Sequence, residues 1–336
     1  EVTVTKPVSS IKLDKTSASI LRGKTVTLKA TVSPSDAGNK AVSWSSSDKK
    51  IATVDAKGVV TGVAKGTATI TAKAKDGSGV KATCKITVRQ PVTKITLSKT
   101  SASILRNKTI TLKATAGPSS ANDKSVAWTT SNKKVATVDS KGVVKGIAKG
   151  TATITATARD GSKVKAACKI TVRQPVTKIT LNKKSASILR NKTITLKATA
   201  GPSSANDKSV TWTTSNKKVA TVNSKGVVKG IAKGTATITA TAKDGSKVKA
   251  VCKITVRQPV TKLTINKTKL TVKKGKTATL KVTVAPSSAN DKSLKWTTSN
   301  KNIATVTQKG VVKGIKKGTV TITAAARDGS GLQVTP

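Results

Sequence analysis

The chain has 336 residues, with 64 Lys and Arg against 13 acids, a net charge of +51, and no His, Tyr, Phe or Met. General acid–base catalysis needs a group tuned near neutrality, and the acids here are scattered Asp residues plus the single Glu1. Neither catalysis nor a cofactor is expected, and a charge so far beyond what solubility requires points to an anionic neighbour.

A repeat sets the organisation. Trp44, Trp128, Trp212 and Trp296 step by 84, as do Cys84, Cys168 and Cys252, so the period overrides the smaller domain count that length alone suggests. Residues 1–4 have the register of Lys85–Val88 and read as the end of a preceding module's last strand. Modules are then expected at 5–88, 89–172, 173–256 and 257–336, the last lacking the end of its final strand. No stretch approaches ~18 consecutive apolar residues, and no charged leader precedes an apolar run. Neither a membrane span nor a signal peptide is expected, and the missing initiator Met reads as an internal fragment.

The second repeat gives the elements in order. Ile95 and Leu97 alternate first; Ile110, Leu112, Ala114 and Ala116 follow, then Val126 and Trp128. Val135 and Val138, the stretch Gly142 to Ile147, and the run Ala152, Ile154, Ala156, Ala158 come next. Asp160-Gly161 marks a turn before Val164, Ala166, Cys168, Ile170 and Val172, the hairpin partner of the preceding run. Short period-two runs with turns between them, and no helical period, describe an all-β chain of tandem immunoglobulin-like antiparallel sandwiches. Repeats two and three support the assignment of faces: Ala127 becomes Thr211 and Ala167 becomes Val251, both in the outward phase, while Ser98 to Asn182 and Asp139 to Asn223 are polar swaps. In the fourth repeat, Leu332, Val334 and the edge beside Ala324 and Ala326 are expected to lack a partner unless the chain continues.

Between modules, Arg173-Gln174-Pro175-Val176 and the matching joints at Arg89 and Arg257 are short. A proline with fixed φ after a residue held extended makes a stiff connection. Four modules in line would form a rod of order 150 Å, at about 3.3 Å per strand residue.

The segments Val92-Thr93-Lys94-Ile95-Thr96-Leu97, Val126-x-Trp128-x-x-Ser131, Val135-Ala136-Thr137-Val138, Lys141-Gly142-Val143-Val144 and Gly150-Thr151-Ala152-Thr153-Ile154-Thr155 recur in all four copies at similar spacings. In this the chain resembles the bacterial immunoglobulin-like domain of group 2. The resemblance implies an extracellular module found in adhesins, wall-associated enzymes and some phage structural proteins, used as spacer or stalk. It supplies no catalytic residues. The Lys content departs from the pattern and suggests a use for charge beyond spacing.

Each Trp, in an inward phase with a β-branched or aliphatic residue two places before it, is expected to anchor a core. The alternative is a sugar-stacking platform, but one aromatic per module is too few for glycan or single-strand nucleic-acid sites. Cys84, Cys168 and Cys252 read as buried thiols, since a Cys with no His cannot assemble a metal site. Asp76, Asp160, Asp244 and Asp328 read as turn residues rather than calcium ligands. Lys163, Lys165, Lys169 and Lys247, Lys249, Lys253 form a recurring outward stripe, either a solvated face or a polyanion surface. With eight Arg among the 64 bases, sequence-specific nucleic-acid readout is disfavoured, and binding to teichoic acid, acidic glycan or extracellular DNA would be diffuse and salt-labile. The expected function is a non-catalytic stalk or fibre segment of a bacterial surface or secreted protein, with adhesion or end-to-end and lateral self-association as uses. A cationic binding module, and an accessory region of a larger secreted enzyme or phage structural protein, are the alternatives.

Overall fold

The computed structural model describes residues 5–336, so the strand end expected at residues 1–4 lies outside them. The described residues contain strands and turns and no helix, hence no helix able to cross a membrane. They form two compact units divided between Arg173 and Gln174, each holding two modules.

The first module shows the plan. Its strands are β1 (Ser10–Leu13), β2 (Ser17–Leu21), β3 (Thr25–Thr27), β4 (Ala30–Ser33), β5 (Val42–Ser46), β6 (Ala52–Val54), β7 (Val59–Gly62), β8 (Gly66–Ala74) and β9 (Lys81–Arg89). One sheet has the order β2-β9-β8-β5; facing it are the pair β1-β4 and the sheet β3-β7-β6. The long strands arise where Thr, Ile and Val alternate with small residues, because branched side chains fit a half-buried pleated surface. In β8, Ala68, Ile70, Ala72 and Ala74 point inward and are buried. In β9, Cys84, Ile86 and Val88 do the same. These residues meet Ile11, Leu13 and Val60 from the facing strands, and Leu28 between β3 and β4, to make one core.

One pairing differs from the antiparallel expectation. The chain leaves the β1-β4 pair after β1, crosses at residues 14–16, and enters the four-stranded sheet as β2, which lies parallel to β9 with Ile20 opposite Val88. The same parallel pair recurs at Ser101–Leu105 with Lys165–Arg173 and at Ser185–Leu189 with Lys249–Arg257. A change of sheet within one edge segment reverses its direction relative to the strand it meets, and period-two alternation carries no signal of strand direction. β9 is thus clasped between a parallel neighbour and the antiparallel β8.

The fourth module lacks this clasp. Residues 269–273, in the place of β2, form no strand, and the strands that stand for β8 and β9 shorten to Ile322–Ala326 and Gln333–Val334. The unpaired edge is not where the sequence puts it. Ala324 pairs with Val334, and the Ala326 N–H donates to the Leu332 carbonyl at 2.9 Å, because a hairpin zips first beside its turn. The edge without a strand partner is residues 318–321, farther from the turn.

One tight approach fixes the packing of the two sheets at the tryptophan. Gly58 has φ +79°, in the left-handed region, and a Cβ there would lie 2.5 Å from the Leu28 carbonyl oxygen and 2.9 Å from Trp44 Cζ2. Gly58→Ala is expected to destabilise the first module by about 1–3 kcal/mol from backbone strain alone. A lowered first transition in thermal or chemical unfolding checks it, and an unchanged midpoint would contradict the close packing.

Candidate functional site

Polar groups of successive modules converge at the joint between them. Within the first unit, Arg89 closes β9 and its carbonyl accepts the Arg22 N–H at 2.9 Å, which fastens it to the first module. The next residue already belongs to the second module: the Gln90 N–H donates to Asn122 Oδ1 at 2.8 Å, and the Asn122 N–H returns to the Gln90 carbonyl at 3.1 Å. Two residues on, past Pro91, the Val92 N–H donates to Asp160 Oδ2 at 2.5 Å. Across the junction, Lys65 Nζ donates to the Ser120 carbonyl at 3.2 Å, and Leu21 Cδ1 approaches Gly161 closely enough that a Cβ there would lie 3.8 Å away. No residue between the two modules is left free to act as a tether.

The second unit repeats the arrangement. The Arg257 carbonyl accepts the Arg190 N–H at 2.8 Å, Gln258 and Asn290 exchange bonds of 2.7 and 3.0 Å, and the Val260 N–H donates to Asp328 Oδ2 at 2.5 Å. Lys233 Nζ reaches the Ser288 carbonyl at 3.2 Å.

Asp160 and its counterparts Asp244 and Asp328 are the buried polar residues among those described. Burial pushes the Asp160 carboxyl upward, but hydrogen bonds from the Ser162 hydroxyl, the Val92 N–H and the Ser162 N–H, with the nearby Arg89 charge, more than offset it and hold the group below the usual Asp value. A buried carboxylate is tolerable here because several donors satisfy it. The sequence reading of these Asp residues as turn formers covers only half their role: one oxygen shapes the turn by accepting the Ser162 N–H at 2.9 Å, and the other clamps the incoming chain. The sequence reading does not single out Asn122 or Lys65. The recurrence of Ala-Asn-Asp at 121–123, 205–207 and 289–291 is the available signal, although the first module has Gly38 at that place and bonds it to the Lys6 carbonyl at 3.0 Å.

The other residues singled out in the sequence lie apart from the joint. Cys84, Cys168 and Cys252 are free thiols, fully enclosed in their cores, and burial raises each pKa. Trp44, Trp128 and Trp212 are only half-buried, whereas Trp296 is 5 % exposed. Gln308 explains the difference. Its side chain brackets Trp296, accepting the Trp296 N–H at 3.3 Å and donating to its carbonyl at 3.1 Å, where Ala56, Ser140 and Ser224 are too short to reach. Lys163, Lys165, Lys169, Lys247, Lys249 and Lys253 are all exposed, and none forms an ion pair among the described residues. Lys165 and Lys169 stand opposite Thr157 and Thr153, with Ala167 opposite Thr155 between them, so the outward face of that hairpin carries threonine, lysine and a small residue.

The fold and the joint together define a class: tandem immunoglobulin-like sandwiches joined strand to strand. The bacterial Ig-like domain (group 2) model matches residues 7–86, 91–168, 175–252 and 259–335, and the chain belongs to that family. An uncharacterised Clostridium acetobutylicum protein is 37 % identical over 164 residues, 49 % of this chain and 17 % of that protein. The Ig-like virion protein of Serratia phage KSP90 is 34 % identical over 170 residues, 49 % of this chain and 66 % of its own length. A Bifidobacterium longum 3-O-alpha-D-galactosyl-alpha-L-arabinofuranosidase shares 50 % identity over 58 residues, 17 % of this chain and 5 % of the enzyme. The chain thus spans less than two thirds of the length of these relatives, and enzymes match it only over short segments. Among solved structures, invasin, a bacterial integrin-binding protein, aligns over 97 % of this chain and 78 % of its own at 16 % identity and TM-score 0.34.

Asp160→Ala is expected to remove about 1.5–3 kcal/mol of charge-assisted hydrogen bonding and to loosen the first joint, seen as faster amide exchange at Val92. The wild-type joint should also weaken in acid. Because its folded pKa is depressed, the carboxylate contributes fully above the unfolded value near 3.8, and the contribution is lost as pH falls through the lower folded value. Unchanged Val92 exchange in the variant would contradict the clamp.

Proposed function

We propose that this chain is a non-catalytic spacer segment of a bacterial extracellular or virion surface protein, built to hold other parts at a set distance. The observation that carries the reading is the joint, in which consecutive residues, Arg89 and Gln90, are each hydrogen-bonded into different modules. A linker with no free residue transmits orientation; a flexible tether of Gly and Ser would not. Membership of the bacterial Ig-like group 2 family and the likeness to a phage virion protein support a structural role outside the cell. The glycosidase match over a short segment supports the same module serving beside a catalytic domain in other proteins.

Small-angle scattering tests the spacer directly. The spacer reading expects a maximum dimension of order 150 Å, from strands rising about 3.3 Å per residue. A compact or broadly distributed envelope would remove the reading.

A second reading rests on the exposed lysines. With Lys165, Lys169, Lys249 and Lys253 on the last strands of two successive modules, Lys163 and Lys247 in the turns just before those strands and not on them as the sequence suggests, and few acids to neutralise them, the face suits weak, repeated contact with a polyanion such as a wall teichoic acid, an acidic glycan or extracellular DNA. Replacing Lys163, Lys165 and Lys169 together by Glu is expected to lower the salt concentration that elutes the chain from heparin or purified wall polymer, with apparent affinity falling steeply as salt rises. Retention that survives near-molar salt, or that ignores the triple substitution, would count against it.

A further inference from the structure

The tryptophan of each module stands on a sheet edge. β5, which carries Trp44, is the terminal strand of its sheet, and its counterparts Val126–Thr130, Val210–Thr214 and Leu294–Thr298 hold the same end position. Beyond the two ends of β5 the Ser47 N–H donates to the Thr69 carbonyl and the Lys75 N–H to the Ala41 carbonyl. Bonded and non-bonded positions alternate along an antiparallel pair. Trp44, opposite Ala72, therefore turns its own N–H and C=O away from β8 and out along the edge. Equivalent bonds from Ser131, Arg159, Ser215 and Lys243 set the same phase for Trp128 and Trp212.

The fourth module shows what these groups accept. The Gln308 carboxamide oxygen accepts the Trp296 N–H at 3.3 Å, its nitrogen donates to the Trp296 carbonyl at 3.1 Å, and Arg327 Nη2 donates to the same oxygen at 3.5 Å. The four indoles are placed alike, since a Cβ at Gly58, Gly142, Gly226 or Gly310 would lie 2.9 to 3.0 Å from Cζ2 of the module's tryptophan. What differs is the cover. Ala56, Ser140 and Ser224 stand where the fourth module has Gln308, and Trp44, Trp128 and Trp212 are half-exposed. Beside Trp44 lies a cavity of about 330 Å³, lined from β5 by Trp44, Ser45 and Ser46, from β6 by Thr53 and Val54, and by Lys49 between them. In the second module Arg159 stands where the fourth has Arg327, and its Nε donates to the Val126 carbonyl of the same edge at 3.2 Å.

We propose that the tryptophan edge of the first three modules is a receptor for a primary carboxamide, the side chain of a glutamine on a partner polypeptide. Such a group donates and accepts along one edge of its plane, and so meets the N–H and C=O of a single residue as Gln308 does. An acetamido group or a trans peptide amide points its N–H and C=O in opposite directions and makes one of the two bonds. A carboxylate has no proton for the Trp carbonyl. Seating the carboxamide also covers the indole, which in the fourth module is 5 % exposed.

The test uses the full chain, isotopically labelled, and a short peptide with a central glutamine and a methylamide C-terminus. The same peptide with glutamate, alanine or side-chain N-methylated glutamine in that place is the control. At high salt, which screens the lysines, the glutamine peptide is expected to move the backbone amide signals of Trp44, Trp128 and Trp212 saturably, with a dissociation constant of order millimolar. The Trp296 signal should stay in place. The control peptides should bind at least about threefold more weakly, since each forfeits one hydrogen bond or more. Two chain variants read the site from within. Ser140→Gln should bring its own carboxamide onto Trp128, reduce acrylamide quenching of the chain's fluorescence, and abolish the peptide shift at Trp128 alone. Gln308→Ala should expose Trp296 and give it a peptide shift. Equal binding of the alanine peptide would assign the edge to backbone strand addition instead; that result, an unmoved Trp128 signal, or a Ser140→Gln variant whose Trp128 still answers to the peptide would each overturn the proposal.

Discussion

Everything in a module depends on its last strand being clasped from both sides. β9 brings Cys84, Ile86 and Val88 into the core with almost no exposure, and it can do so only because β2 and β8 both satisfy its backbone. Buried backbone N–H and C=O groups require partners, so an apolar strand without two neighbours would carry its own penalty inward. The fourth module gives the contrast within the same chain. Where residues 269–273 and 318–321 have no strand between them, both lose their regular structure, although the hairpin at Ala324 and Val334 and the core around Leu280 and Trp296 persist.

The clasp also determines the joint. Because the parallel pairing carries β9 out to Arg89, the chain leaves the sheet at the end of the module and enters the next one immediately. Asn122 and Asp160 then receive the N–H groups of Gln90 and Val92, the two positions that flank Pro91, which has no N–H to donate. The proline is compatible with this geometry; the hydrogen bonds beside it fix the path. This division of labour also explains where the few carboxylates are used. Asp139 accepts the N–H groups of Lys141 and Val143 at 2.9 and 2.8 Å, and Asn223 does the same for Lys225 and Val227 at 3.0 and 3.0 Å. Those turns need an oxygen, not a charge, whereas the lysines outside have few partners and remain available to solvent.

Alternation made the sheets legible, since inward residues such as Ile154, Ile170 and Cys168 are the ones the period-two pattern places there. It could not reveal strand direction, because β2 has the same pattern whether parallel or antiparallel to β9. Nor could it rank the tryptophans. Trp128 and Trp296 occupy the same phase, and only the reach of Gln308, twelve residues away in sequence, separates an enclosed ring from a half-covered one. The family resemblance followed from ordered motifs in each repeat, and the four matched stretches bear it out. The joint was partly visible in Arg-Gln-Pro-Val, but its partners Asn122 and Asp160 lie 32 and 68 residues from the groups they hold. Contacts across such separations leave no local trace.

Because the joint residues Asn122 and Asp160 have counterparts at one spacing in repeats three and four, although the first repeat has Gly38 in place of the Asn, an in-frame loss or gain of 84 codons among the later repeats keeps the Asn and Asp of each joint in register. Unequal crossing-over between nearly identical copies would then alter the number of modules by whole steps without creating a misfit. Repeats two and three are nearly identical in sequence, so a step in length taken between them would disturb the joint residues least.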